Sequence, residues 1–133
     1  MQKANSTLNW AWQASLGLLL MLAVPILGAA QTFSGTGLPL PANEDVGCTT
    51  STLEVTTDGT IGTNASIDQV ELDITHTWDG DLEITLISPA TTRLTLSDGN
   101  GGSGDNYTGT IFDDAAATCI TAGSPPFTGT FLP

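Results

Sequence analysis

The sequence predicts an all-β domain, a sandwich or a barrel, and three observations carry that expectation. Apolar residues alternate with polar ones at Val70, Leu72, Ile74, His76 and Trp78, and again at Leu82, Ile84 and Leu86. That period of two sends successive side chains to opposite faces of a strand. Short runs of this kind are punctuated by Gly, Pro, Asn and Asp, the residues that turns require. Beyond residue 30 no stretch sustains a helical period. A chain of 133 residues has room for one small domain.

Residues 1–30 read as an export signal. Lys3 supplies a positive start, Leu16 to Leu27 is an apolar run too short for an ordinary membrane span, and Gly28-Ala29-Ala30 offers small residues for cleavage before Gln31. An uncleaved membrane anchor is the alternative. Gln31 stands where a lipid-modified bacterial N-terminus would need Cys, and no Arg-Arg pair suggests the twin-arginine route. Residues 31–41 form an extended leader, with Gly and Pro continuing to Gly47, and 42–133 form the domain.

Within the domain, Leu53 to Thr56 is a short strand candidate and Ile61 to Asn64 a weaker one. Ile67 to Thr77 is the first strong strand and Leu82 to Ser88 the second, stopped by Pro89, which has no N–H for a ladder. Asp79-Gly80 supplies the turn between them. If these two strands pair directly, apolar faces match only with an odd-length loop such as Asp79-Gly80-Asp81, setting His76 opposite Ile84 and Ile74 opposite Leu86. Thr92 to Leu96 is a third strand with Leu94 and Leu96 on one face, and Tyr107 to Phe112 and Thr118 to Thr121 are two more. Ser97 to Asn106 is a loop, too poor in apolar residues for a strand.

The formal charge is −12. Removal of the signal leaves Arg93 as the only Lys or Arg against 14 acidic residues. That balance excludes nucleic acid and anionic membrane surfaces as partners, since both need Lys and Arg. It fits a soluble exported protein, with charge serving solubility, or a binder of cations. Cys48 and Cys119 are the only cysteines. In an exported chain an even pair reads as a disulfide. Closing a loop of roughly 70 residues, it would contribute about 2–4 kcal/mol. One His and two Cys make a poor zinc set.

The loop carries the first candidate site. Asp98, Asn100 and Asp105, followed by Asp113 and Asp114, form a candidate Ca2+ ligand set. Ser103 and Asn106 add side-chain oxygens, and glycines free carbonyls to turn inward. Calcium takes six to eight oxygens in flexible geometry. Asp79 and Asp81 would add charge if their turn lies nearby. The known calcium patterns are unmet: the twelfth position counted from Asp98 is Gly109 rather than Glu, and Gly101-Gly102-Ser103-Gly104-Asp105 falls one residue short of the GGxGxD repeat and occurs only once. A Gly/Asp/Asn turn bonding its own backbone is the plainer reading.

No catalytic residue is assigned. His76 lies on the apolar face of its strand and reads as a packed structural histidine, and Ser103 lacks the second Gly of a G-x-S-x-G elbow. Trp78, Tyr107, Phe112 and Phe127 are core residues or, alternatively, the platform of an adhesive or carbohydrate-binding sandwich belonging to a larger cell-surface protein. Asn64-Ala65-Ser66 and Asn106-Tyr107-Thr108 are sequons, relevant only to a eukaryotic secretory route.

The blocks "HTWDGDLEITLISP", "GGSGDNYTGTIFDD" and "PPFTGTFLP", in that order, resemble the P domain (P/Homo B domain) of proprotein convertases in its bacterial form, over roughly residues 42–133. The resemblance implies a jelly-roll-like β-sandwich lacking its last strands, since the family's closing strands after the third block are absent. It also implies a secreted, non-catalytic module that stabilises a subtilisin-like serine endopeptidase. The implied partner is a protease catalytic domain or another domain of a larger secreted protein. Calcium dependence in that family concerns mostly the catalytic domain.

Overall fold

The computed structural model describes residues 30–40, 47–57 and 59–133; the segment 1–30 expected to be an export signal lies almost wholly outside them. The chain divides into two compact units, Met1–Val55 and Thr56–Pro133. In the first unit the described residues form no strand, and the Thr49 hydroxyl donates to the Pro39 carbonyl at 3.4 Å. The strand expected at Leu53 to Thr56 does not form; Leu53 and Val55 are exposed. Four alternating residues make a strand only against a ladder, and none runs beside them among the described residues.

The second unit holds five strands: β1 (Val70–Ile74), β2 (Glu83–Ile87), β3 (Arg93–Asp98), β4 (Tyr107–Phe112) and β5 (Phe127–Phe131). They form two sheets, β1-β4-β5 and β2-β3. β4 pairs antiparallel with β1 and parallel with β5, and β2 pairs antiparallel with β3. Ile61 to Asn64 is a turn closed by a bridge from Ile61 to Ala65.

Both sheets feed one core, which makes the unit an all-β sandwich. Leu96 of β3 meets Tyr107 and Phe112 of β4 and Phe127 and Phe131 of β5, together with Ile120. Val70, Leu72 and Ile74 of β1 and Leu82, Ile84 and Leu86 along β2 pack against them, as their alternation predicts. Tyr107 stacks on Phe127 with centroids 4.7 Å apart, and Phe127 meets Phe131 edge-on at 6.1 Å.

The direct pairing of the first two strong strands is corrected. β1 and β2 lie in different sheets, so His76 does not oppose Ile84, nor Ile74 Leu86; Ile74 faces Tyr107 and Leu86 faces Leu94. Alternation states which face a residue occupies, not which strand lies beside it. Leu94 and Leu96 also part company: Leu96 is 4% exposed and Leu94 50%. The register slips beside Leu96, where Ile84 pairs with Ser97 and Thr85 with Thr95. This bulge buries the consecutive residues Leu96 and Ser97.

A second bulge lies in β4, where both neighbours lose register between Tyr107 and Thr110. Gly109, at φ +55°, takes the extra residue. Tyr107 and Phe112, an odd number of positions apart, thereby both reach the core. Thr118 to Thr121 is not a strand. Cys119 makes a lone bridge to Leu132, and Ile120–Ala122 is a short 3-10 turn that buries Ile120. The strand that follows, β5, carries its own period-two signal in Phe127, Gly129 and Phe131.

Candidate functional site

Two segments carry the chain between the sheets, and they meet. Asp79–Asp81, a 3-10 turn, leads from β1 to β2, and the loop 99–106 leads from β3 to β4. The Asp79 N–H donates to the Gly104 carbonyl at 2.8 Å and the Gly80 N–H to the Gly102 carbonyl at 2.9 Å. The Asn106 N–H donates to Asp79 Oδ1 at 2.9 Å. The His76 N–H donates to the Asn106 side-chain oxygen at 3.0 Å, and the His76 carbonyl accepts from Asn106 N–H at 3.2 Å. Thus Asp79 and Asp81, expected to add charge only if their turn lay near the loop, belong to a turn locked against it.

Close backbone approach explains two glycines. A Cβ on Gly80 would sit 3.0 Å from the Gly102 Cα and carbonyl oxygen. Gly101, at φ +96°, would place a Cβ 2.8 Å from the Phe127 ring and 2.9 Å from both Asp79 Cβ and Pro125.

Asp79 sits at the centre of this lock and is fully buried. Its Oδ2 has no hydrogen-bond partner, the only such buried side-chain atom among the described residues. Burial pushes its carboxyl up from the ordinary range. The Asn106 N–H and His76 act against that shift, and Asp105 adds to it. Sequence reasoning named Asp79 only as charge that its turn would add beside the loop; the motif pointed to the turn but not to its burial.

The expected Ca2+ ligands divide. Asp98 closes β3, and Asn100 and Asp105 belong to the loop. The Asn100 amide donates to the Ser97 hydroxyl at 2.9 Å, which is bonded to the buried Tyr107 hydroxyl at 2.9 Å. Burial raises the Tyr107 phenol, and the Ser97 bond acts against it. Asp113 and Asp114 follow the other end of β4, about 15–20 Å along the strand at ordinary rise. Asp113 accepts from Gln69 Nε2 at 2.9 Å and from the Ala115 N–H at 2.7 Å, bonds that hold its carboxyl below the usual range. The structure therefore keeps these two aspartates apart from the other three. Among the described residues no three His, Cys, Asp or Glu side chains gather as metal ligands, so any calcium there depends largely on carbonyl, amide and water oxygens.

His76 Nδ1 lies 3.0 Å from the Trp78 carbonyl and 3.2 Å from the Trp78 N–H, so its ring is engaged with its own turn. The aromatic platform does not form: Tyr107, Phe112 and Phe127 are buried, and Trp78 alone, 52% exposed, faces outward. A small core claims large side chains first. Cys48 and Cys119 are exposed free thiols belonging to different compact units.

Residues 67–120 match the family model described as proprotein convertase P-domain. The matched stretch holds β1 to β4, the turn and the loop, and it bears out the resemblance carried by the first two sequence blocks. No curated protein and no solved structure matches this chain.

Proposed function

We propose that this chain, whose residues 67–120 carry a P-domain sequence, is the accessory module of an exported subtilisin-like serine endopeptidase. P domains are non-catalytic accessory domains, and the module acts by stabilising the catalytic domain it accompanies. The observation that supports this most directly is that the matched stretch coincides with the part where both sheets are laced together by the turn and loop. Export through residues 1–30 places the module outside the cell. The predominance of acidic residues turns the partner search toward proteins and cations and away from nucleic acid. No helix among the described residues is long and apolar enough to cross a membrane.

Calcium belongs to this proposal as a structural ion on the side of Asp98, Asn100 and Asp105. A Cys48–Cys119 bridge belongs to it as the state reached in an oxidising compartment.

The test is a fusion. The chain is placed after a subtilisin-like catalytic domain whose own P domain has been removed, and thermal inactivation is followed. A longer half-life than that of the bare catalytic domain supports the proposal. An unchanged half-life, with the module folded in the fusion, refutes it.

A further inference from the structure

We infer that Asp79 anchors a divalent-cation site, of calcium type by its oxygen chemistry, enclosed between the 79–81 turn and the 99–106 loop. This deepens the calcium reading above and rests on it, but it moves the anchor to Asp79, which the sequence offered only as added charge. The loop closes over the carboxylate. Asn106 N–H holds Oδ1, the Gly102 and Gly104 carbonyls hold the turn, and Gly101 lies against the Asp79 side chain with no room for a Cβ. Oδ2 is left fully buried without a partner.

A buried carboxylate oxygen needs a proton, a basic side chain or a cation. A proton on Oδ2 would itself need an acceptor, and none is within reach. Among the described residues no basic side chain bonds Oδ2. Arg93 begins β3, at the opposite end of that strand from the loop. His76 is close enough for its charge to act on Asp79, but its Nδ1 is engaged with the Trp78 backbone and its ring makes no hydrogen bond to Oδ2. A cation remains, and it fits the surroundings. Asp105 contributes negative charge felt at Asp79, and the Gly101, Gly102 and Gly104 carbonyls, each accepting one hydrogen bond, keep a second lone pair for an oxygen shell that needs few carboxylates.

The experiment uses the full chain stripped with chelator. Calcium binding is followed by calorimetry and by terbium luminescence excited through tryptophan, since Trp78 adjoins Asp79. The expected result is one saturable site that calcium competes for. Asp79→Asn should weaken it at least tenfold and Asp105→Asn severalfold, with near-UV circular dichroism unchanged, while Asp113→Asn leaves it intact. If Asp79→Asn does not fold, the exposed Asp105→Asn decides alone. Binding undiminished in both variants but lost in Asp113→Asn or Asp114→Asn would overturn the Asp79 site and leave a calcium-binding module standing. No saturable binding by the folded chain would overturn both.

Discussion

Three glycines of the 99–106 loop separate backbone strain from steric exclusion, and replacing each by alanine should give a fixed order of damage. Gly102 has φ +54° with nothing within 4 Å of an added Cβ. Gly102→Ala should therefore cost only the left-handed backbone, about 1–2 kcal/mol. Gly104 lies outside the positive-φ region, but its Cβ would meet the Pro125 ring at 2.5 and 2.6 Å. Gly104→Ala should cost about 1–3 kcal/mol, the usual range for overpacking. Gly101 combines both, with φ +96° and contacts of 2.8–2.9 Å to Phe127, Asp79 and Pro125, so Gly101→Ala should cost roughly 2–5 kcal/mol. Small domains have ~0.05–0.15 kcal/mol of stability per residue, so this last change removes a large share. Urea unfolding, followed through near-UV circular dichroism with a common slope, measures all three. If Gly101→Ala were no worse than Gly102→Ala, the loop would not be packed against Asp79 and Phe127, and the lock would fail as an account of the motif.

Phe127→Ala removes a fully buried ring stacked on Tyr107 and should cost about 3–5 kcal/mol, read as a lower urea midpoint or as loss of the folded state. In chelator, Asp79 should make stability fall as pH rises. Its folded pKa is raised, so its contribution is fully present below the ordinary carboxylate value near ~4 and is lost as pH climbs through the folded value. Asp79→Asn should flatten that slope; a pH profile identical to the parent's would refute the burial. Asp113 has the opposite sign: its lowered pKa gives a contribution present above the unfolded value and lost on acidification through the folded one, so Asp113→Asn should affect only the acid limb. After export, intact mass under non-reducing conditions should show Cys48 and Cys119 short of two hydrogens; full labelling of both thiols by iodoacetamide without reductant would exclude the bridge.

The strands with a clean period of two were legible at the level of residues. Val70, Leu72 and Ile74, then Leu82, Ile84 and Leu86, face inward as their spacing says. Their partners were not legible, because alternation is local and pairing is not. The bulges at Leu96 and Gly109 break the period within a strand, and each needs the neighbouring register to be seen. Leu53 to Thr56 shows the converse, a pattern without a ladder. At the site, the loop was visible from its Gly, Asp and Asn content, whereas the burial of Asp79 was not. An aspartate beside glycine in a turn is ordinarily exposed, and only the docking of a loop some twenty residues later buries it.

That docking explains why two separated blocks of sequence belong together. The 79–81 turn carries the chain from the β1-β4-β5 sheet to the β2-β3 sheet, and the 99–106 loop carries it back. Each crossing alone leaves backbone groups without a ladder, and the two resolve this by bonding each other: Asp79 to Gly104, Gly80 to Gly102, His76 to Asn106. The polar residues of both blocks thus do for the crossings what strand pairing does within the sheets. A change in either block should therefore loosen both sheets together rather than fray one edge. The buried oxygen of Asp79 lies at that junction, so whatever satisfies it should tighten the whole sandwich. Amide exchange measured with and without calcium should protect β2 and β4 to the same degree; protection confined to the loop would separate the ion from the lacing of the sheets.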